Sequence, residues 1–419
     1  MKKLIPVFLL FLFIRVSAQN PIEHTGCVAA AYSSFEKIDV PASYKHGERS
    51  AGFSINYIGF TPAAQAVLDT ACAIWNSIIV ANVPIKLNAV WTPLVAGSLG
   101  ITLPNGNRDF IGALQPNTWF ASCLANTLNG SDLDTANVDM DLFLNSSINW
   151  YFGTDGNCPA AQWDLESTIL HELCHGLGFL GLSKVSGTTG SFGTLLASDF
   201  APIATSFPWP DLDTLPGMFD RFLQNASAQQ LIDTGIFPNP STALKTAMTN
   251  GQVYFSGPYE LANNSGVRAR VYAPSAFALG SSMTHLNDAT YPPGNPNNLM
   301  VHASPSGAVI HDPGPITVGI LKDIGWQINP AYSAIEENIS PNEIKVFPNI
   351  TNGNVSVVLN NSSSEKINYS VMNSIGAKIC EGNFDGNILR LNFSSFPAGI
   401  YFIHLESKTL SGTARVVRK

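Results

Sequence analysis

One short motif constrains this chain more than any other feature, the run HELCH at residues 171–175. Residues i and i+4 of an α-helix lie on one face, so His171 and His175 can reach the same metal ion if the segment is helical. Glu172 lies about 100° around the helix from His171, close enough to hold a water molecule beside that ion. The motif therefore predicts a metal-binding helix that also carries a general base.

The flanking residues predict where this helix begins, how it packs and where it ends. Asp164 stands at the expected N-cap position, and Ile169, Leu173 and Leu177 fall on the face opposite the histidines. Gly178 can end the helix in a backbone conformation that other residues avoid. The alternative is that the two histidines serve only as polar residues of the core.

Two histidines do not complete a catalytic zinc site. Such an ion usually takes three protein ligands and leaves the fourth position for water. In the common metzincin pattern HExxHxxGxxH the third histidine would stand at position 181, which is Gly181 in this chain. The third ligand must therefore come from another part of the sequence.

A longer run, HELCHGLGF at residues 171–179, resembles the active-site helix of leishmanolysin-type metallopeptidases. In those metzincins a long insertion separates the glycine from the third histidine. The runs HLN at 285–287, NNLM at 297–300 and GILKDIGW at 319–326 follow in the order of that family's third histidine, methionine turn and next helix. The resemblance covers roughly residues 101–328. It implies His285 as the third zinc ligand and Met300 as the residue beneath the metal.

Other residues could complete the site instead of His285. Each of them offers a nitrogen, oxygen or sulfur donor atom. These candidates are His302, His311, Asp199, Asp211, Asp220, Glu260 and Cys174. Met300 also has a simpler interpretation as an ordinary core residue, because methionine fills irregular core space.

The patterns around the motif predict an α+β catalytic domain over residues 19–330, and the resemblance implies that this domain is metzincin-like. We expect a twisted mixed sheet beside the active-site helix, an irregular lower subdomain after Gly178, and a cleft bordered by the strand at 138–144. Beyond the motif helix, the predicted elements are helices at 61–79, 226–233 and 315–325 and strands at 84–91 and 138–144.

The first 18 residues predict export. Lys2 and Lys3 precede an apolar run at 4–14 and small residues before Gln19, as in a cleaved signal peptide over residues 1–18. No later apolar stretch reaches the ~18 residues needed to cross a bilayer. We therefore expect a secreted or cell-surface protein without a membrane span.

Cysteine usage fits an exported protein but leaves the pairing open. The six cysteines are Cys27, Cys72, Cys123, Cys158, Cys174 and Cys380. An even number permits disulfides, although Cys380 lies far from the others and is a candidate free thiol. Cys27 follows the predicted signal peptide, and it could either bind the zinc as a latency switch or form a disulfide.

Charge argues against nucleic acid as a partner. The formal net charge is −8, only 12% of residues are charged, and no dense Lys/Arg run is present. Phosphate neutralisation requires a basic patch, and so does binding to an anionic membrane surface. The hydrophobic content of 45% is ample for a sizeable core.

The last part of the chain predicts a separate small domain. Residues 331–342 form a polar linker, and short alternating runs over 343–419 predict an all-β sandwich. The runs VFPN at 346–349, FPAGIY at 396–401 and RVVRK at 415–419 resemble the C-terminal sorting domain of type IX secretion cargo. That resemblance implies the outer-membrane secretion machinery as a partner and removal of such tails on export in many cargo proteins. A generic β-sandwich binding domain is the alternative.

These observations predict a secreted zinc-dependent endopeptidase that hydrolyses peptide bonds in a protein or peptide substrate. One catalytic Zn2+ held by His171, His175 and His285 would activate a water, with Glu172 as general base. The alternatives are a surface adhesin or binding protein with a non-catalytic metal site, and a metal-dependent amidase acting on a non-protein substrate. The sequence leaves structural Ca2+, cleavage specificity and oligomeric state open.

Overall fold

The motif helix lies in the first of two compact units, which ends at Ala331, whereas the second begins at Tyr332. This division lies next to the predicted boundary at residue 330. The structure is a computed structural model that describes residues 27–30, 37–45, 52–201, 203, 212–333, 344–359, 366–373, 377–407 and 411–419. The predicted signal peptide and most of the predicted linker lie outside the described residues.

The first unit combines short strands with helices of varied length. Its strands are β1 Val28–Ala30, β2 Phe53–Ile58, β3 Ile85–Thr92, β4 Gly100–Pro104, β5 Gly106–Arg108, β6 Trp119–Ala121, β7 Met140–Asn145, β8 Trp150–Tyr151, β9 Trp163–Asp164, β10 Ser183–Ser186, β11 Thr189–Phe192, β12 Leu223–Gln224, β13 Tyr254–Phe255, β14 Ala269–Arg270 and β15 Ala303–Pro305. Its helices are α1 Pro62–Ile78, α2 Ser122–Asn129, α3 Leu165–Gly176, α4 Thr242–Met248, α5 Pro258–Asn263 and α6 Gly314–Ile324, with 3-10 turns at Ala197–Asp199 and Phe219–Phe222. The short helix α7 Pro330–Ser333 spans the division between the two units.

The main sheet has four strands in the order β2-β3-β7-β4. Strands β2, β3 and β7 are parallel, and β4 is antiparallel to β7, so the sheet is mixed as predicted. The prediction that the strand at 138–144 borders the cleft is wrong, because β7 is paired on both sides, whereas β4 is one of the two edge strands. Alternation of apolar residues predicts a strand but does not reveal its neighbours in the sheet.

Helix α1 packs against α3. Its first turn is capped by the Thr61 hydroxyl, which accepts the Ala64 N–H at 3.2 Å, and Pro62 occupies the first helical position. The fully buried Trp75 donates its indole N–H to the Leu170 carbonyl of α3 at 3.1 Å. The helix predicted over 61–79 is therefore confirmed, and it holds α3 in place.

The segment at 226–233 is not helical, contrary to the prediction. Its chain forms turns, and the Asn225 side chain accepts the Gln229 N–H at 3.0 Å while the Asn225 N–H donates to the Gln229 carbonyl at 3.0 Å. An asparagine side chain that binds nearby backbone competes with helix formation in this way. Helices α4 and α5 follow instead.

Helix α6 confirms the prediction of a late helix over 315–325. It ends where Gly325 adopts φ +128°, a conformation that favours glycine. Immediately after it, the buried Trp326 donates its indole N–H to the Leu177 carbonyl at 2.8 Å. This contact links α6 to the end of the motif helix.

Apart from Tyr332 and Ser333 at the end of α7, every regular element in the described residues of the second unit is a strand, as predicted for a β-sandwich. Its strands are β16 Ile344–Phe347, β17 Ile350–Thr351, β18 Asn354–Leu359, β19 Ile367–Asn373, β20 Lys378–Phe384, β21 Ile388–Asn392, β22 Gly399–Glu406 and β23 Ser411–Arg418. They form a three-stranded sheet, β16-β18-β21, and a five-stranded sheet, β17-β23-β22-β19-β20. Both sheets contribute to one core, whose buried members include Val355, Val357, Leu389, Val371, Ile403, Leu405 and Val416. No helix in the described ranges has both the length and the apolar composition for a membrane span.

Candidate metal centre

Helix α3 begins where the sequence predicts and is buried on every side. The Asp164 carboxylate accepts the Ser167 N–H at 2.8 Å and the Ser167 hydroxyl at 2.6 Å, as expected of an N-cap. The apolar face of Ile169, Leu173 and Leu177 is fully buried, and the histidine face is buried as well. The polar groups of this helix therefore need partners within the protein.

The end of α3 fixes the second histidine. The helix ends at Gly176, and Gly178 has φ +106°, which other residues rarely adopt. The chain turns there so that the Phe179 carbonyl accepts a hydrogen bond from Nδ1 of His175 at 2.8 Å. Gly178 therefore lies at the end of the helix, as predicted, and also permits the turn that orients the His175 side chain.

The structure brings His285 to the two histidines of α3. The Nε2 atoms of His171 and His175 are 3.1 Å apart, and Nε2 of His285 lies 3.2 Å from the first and 3.1 Å from the second. In the described part of the chain, this is the one group of three metal-binding side chains whose donor atoms converge. All three imidazoles are buried.

Backbone carbonyls set the tautomer of each imidazole. Nδ1 of His171 lies 2.6 Å from the Leu299 carbonyl, and Nδ1 of His285 lies 2.9 Å from the Ser281 carbonyl. A carbonyl only accepts, so Nδ1 carries the proton in these histidines and in His175. Each Nε2 lone pair is then left for a metal ion.

Burial also keeps these histidines neutral. It lowers the pKa of His175 to about 4 and holds the pKa values of His171 and His285 well below the usual histidine range. Proximity of the other imidazoles lowers the pKa values of His171 and His285 further. Neutral imidazole is the form that binds metal ions.

The donor set fits a zinc ion. Imidazole nitrogens bind zinc at ~2.0–2.1 Å, so two nitrogens on one tetrahedral ion lie about 3.3 Å apart. The observed separations of 3.1–3.2 Å are close to that value. Three neutral imidazoles also leave a fourth position open, as catalytic zinc sites do.

Glu172 lies on the same helix, fully buried. Its Oε1 accepts the backbone N–H of Cys27 at 3.2 Å, whereas its Oε2 makes no hydrogen bond within the described residues. Burial raises the pKa of Glu172 to about 7. A carboxyl with such a pKa can exchange a proton near neutral pH.

The turn that contains Met300 joins the two parts of the site. Met300 is fully buried, and its carbonyl accepts the Leu286 N–H at 2.8 Å, next to His285. The preceding residue, Leu299, accepts the bond from His171. The position of Met300 beneath a metal ion stays a prediction.

The other histidines considered as third ligand have different partners. Nδ1 of His302 lies 2.8 Å from both carboxylate oxygens of Asp288, and its ring centre is 6.4 Å from that of His285. Nε2 of His311 lies 2.9 Å from the N-cap carboxylate of Asp164, at the opposite end of α3 from His175. Neither belongs to the convergent group.

The carboxylates and the thiol considered for this role also lie elsewhere. Asp199 is paired with Lys184, and Asp220 accepts the N–H groups of Leu182 and Gly217. Glu260, which accepts from Asn264, and Cys174, a free buried thiol, do not join the convergent group either. Asp211 lies outside the described residues.

Position 181 has no room for a side chain. A Cβ atom on Gly181 would lie 2.7 Å from the Met283 carbonyl oxygen and 2.9 Å from a carboxylate oxygen of Asp220. Real Cβ atoms essentially never approach backbone this closely. The departure from HExxHxxGxxH at this position therefore has a steric reason.

All six cysteines are free, including Cys380 as predicted. The sulfur of Cys27 does not belong to the convergent donor group. Burial, together with the nearby Glu172 charge, raises the pKa of the Cys27 thiol well above its usual value. The contact of Cys27 with the site is made by its backbone, which sequence reasoning missed.

A largely apolar cavity opens beside the second histidine. It is lined by edge strand β4 on one side and by the segment just before His285 on the other. The lining residues include Ile101, Leu103, His175, Leu180, Leu195 and Phe200. The edge strand and the cavity together border the metal centre.

Comparison with known proteins identifies the tail of the chain. Residues 345–419 match the model of the secretion system C-terminal sorting domain. The chain therefore carries a type IX sorting tail, which implies export to the medium or the cell surface and contact with the secretion machinery.

The comparisons say less about the first unit. Residues 131–187, which include α3, match a family model described as SPBPB7E8-like. No curated protein matches the chain. A solved structure from Bacteroides vulgatus, a DUF3244 family protein with an immunoglobulin-like β-sandwich fold, is 13% identical over 18% of this chain and 84% of that chain, with a TM-score of 0.16.

Proposed function

We propose that this protein is a secreted zinc-dependent endopeptidase of the metzincin type. The observation that carries the proposal is that three buried, neutral imidazoles converge and that the buried Glu172 carboxylate lies on the helix that carries two of them. The order of HELCHGLGF, His285 and Met300 supports a leishmanolysin-like member of that group. In this assignment the insertion that separates the ligands lies between Gly178 and His285.

The residues of the chain have distinct roles in the proposed reaction. His171, His175 and His285 would hold the zinc ion. A zinc ion at this position supplies Lewis acidity and makes a nearby water more acidic. Oε2 of Glu172, which has no other partner among the described residues, can accept a proton from water and later donate it to the leaving amine.

The surroundings favour an extended peptide as substrate. Strand β4 is an end strand of its sheet, and a peptide can pair with an edge strand through main-chain hydrogen bonds. The apolar cavity beside His175 would then take an apolar side chain of that peptide. The sorting tail supports action outside the cell.

The test combines metal analysis with hydrolysis by the purified protein. We expect close to one zinc per chain, hydrolysis of casein or a peptide library, loss of hydrolysis with a chelator, and recovery when zinc is restored. The E172Q variant keeps the shape of the side chain and removes its basic form. We expect it to retain zinc and to lose activity by about 100-fold or more.

Three results would contradict the proposal in whole or in part. Zinc-loaded wild type without peptidase activity would favour an adhesin with a non-catalytic metal site. Cleavage of amides but of no peptide in the library would favour an amidase. E172Q with wild-type activity would exclude Glu172 as the base.

A further inference from the structure

The first described strand, β1, is built into the core beside the metal centre. It pairs in parallel with β15, which follows the Met300 turn, and Cys27 and Val28 are only 2% and 8% exposed. On its other side, the Cys27 carbonyl accepts the Leu99 N–H at 2.8 Å and the Ala29 N–H donates to the Gly97 carbonyl at 2.8 Å. Strand β1 thus lies between β15 and the segment that leads into β4.

The backbone N–H of Cys27, the residue just before β1, is directed at Glu172, the proposed general base. The Cys27 N–H donates to Oε1 of Glu172 at 3.2 Å, and Oε2 is left without a hydrogen bond in the described structure. The Glu172 side chain also lies against Gly100, where a Cβ atom would be 2.9 Å from its Cγ. One carboxylate oxygen is held, and the other remains available for chemistry.

We propose that β1 is a permanent part of the active site and that the backbone N–H of Cys27 positions Glu172. This inference rests on the proposed function. A hydrogen bond to a carboxylate is stronger than one between neutral groups, and in the described residues the Cys27 N–H is the backbone donor to this buried carboxylate, with the Thr102 hydroxyl as a second polar neighbour. Cys27 is therefore a positioning residue that acts through its backbone, and its sulfur is not needed.

A removable inhibitory segment would behave in the opposite way. If the strand blocked the site, loss of residues 27–30 would raise activity. If the strand positions Glu172, the same loss would lower activity. The ladder with β15 and the bonds to Gly97 and Leu99 favour the second outcome, because removal of β1 would expose backbone groups on both of its sides.

Proline substitution separates the backbone donor from the strand. Of the backbone groups of residue 27, C27P removes only the N–H that reaches Glu172, since the carbonyl remains to accept from Leu99; it also removes the sulfur, for which C27A controls. A29P is the matched control, because it removes the donor to Gly97 and leaves Glu172 untouched. C27A removes the sulfur and keeps the N–H. We expect C27P to lower kcat by about 10- to 100-fold at a nearly unchanged KM, a loss that exceeds those of C27A and A29P.

Zinc content, thermal melting and intact mass complete the test. We expect C27P and A29P to bind zinc equally and to melt at similar temperatures. If Cys27 had only a structural role, C27P would not lose kcat selectively while keeping the stability and zinc content of A29P. The active wild-type protein should begin at residue 26 or earlier, so that Cys27 keeps a peptide N–H. If C27P fails to fold, this mass measurement still shows whether the active protein retains β1 and the N–H of Cys27.

Three results overturn the inference: C27P with the kcat of A29P, C27A with the loss expected of C27P, or a fully active form that begins after Cys27. In each case hydrolysis by the wild type leaves the proposed function intact. A zinc-loaded wild type that hydrolyses no peptide overturns both.

Discussion

Nδ1 of His171 lies 2.6 Å from the carbonyl oxygen of Leu299, the residue before Met300. The next carbonyl, that of Met300, accepts the N–H of Leu286, which follows His285. One turn therefore orients a ligand on helix α3 and anchors the segment that carries the distant ligand. This arrangement explains how a histidine that lies 110 positions after His175 meets it with Nε2 atoms 3.1 Å apart.

The third ligand can be tested by metal analysis of two single variants. We expect H285A to lose zinc affinity by more than about 100-fold, because one of three donor atoms is removed. H311A is the matched control, since His311 binds the N-cap carboxylate of Asp164 and lies outside the donor group. It should retain zinc and melt at a lower temperature. Loss of zinc from H311A with retention in H285A would reverse the assignment.

Removal of the metal should destabilise the first unit. A ligand that binds only the folded state adds about 2.7 kcal/mol of stability at 100 times its dissociation constant. We expect a chelator to lower the Tm of the wild-type protein and added zinc to restore it. The H171A variant should melt at one temperature under all three conditions. An equal chelator effect on H171A would point to a different metal site.

Gly181 should not tolerate a methyl group. The Cβ atom of G181A would lie 2.7 Å from the Met283 carbonyl oxygen, so backbone must shift. We expect a loss of about 1–3 kcal/mol in the free energy of unfolding, measured by urea denaturation. G235A is the control, because its nearest neighbour is the side chain of Asp233 at 3.2 Å. Equal stability of G181A and wild type would show that the loop adapts freely.

Asp220 should make stability depend on pH in a defined direction. Burial raises its pKa to about 7, while an unfolded aspartate titrates near ~3.9. Between about pH 4 and 7 the folded state therefore holds one more proton than the unfolded state, and this contribution to stability decreases as pH rises. Above about pH 7 the contribution is constant, since both states are ionised.

The D220N variant isolates that contribution. Asparagine can still accept from the N–H groups of Leu182 and Gly217 but does not titrate. We expect the stability of D220N relative to wild type to increase by up to about 1.4 kcal/mol per pH unit from pH 5 to 7, and then to level off. Urea denaturation at several pH values measures this difference. A constant difference across that range would contradict the raised pKa of Asp220.

Several parts of the fold could be predicted because their signals are local. The cap at Asp164, the apolar spacing of Ile169 and Leu173, and the stop near Gly178 predict α3, as the structure confirms. Alternating apolar residues likewise predict β3, β7 and four strands of the second unit, β18, β19, β21 and β22. The helix predicted at 226–233 does not form because the Asn225 side chain closes a turn, which helical spacing does not reveal.

The sequence by itself determined that His171, Glu172 and His175 share one helix and that the chain ends in a sorting tail, because residues close together in the chain carry both signals. Only the tertiary structure decided that β4 is an edge strand, that His285 completes the donor group, and that carbonyls and the Cys27 N–H orient the side chains. Strand order and long-range contacts depend on how distant segments pack. Backbone groups are the same in every residue apart from the missing N–H of proline, so the amino-acid sequence does not mark which of them reaches the site.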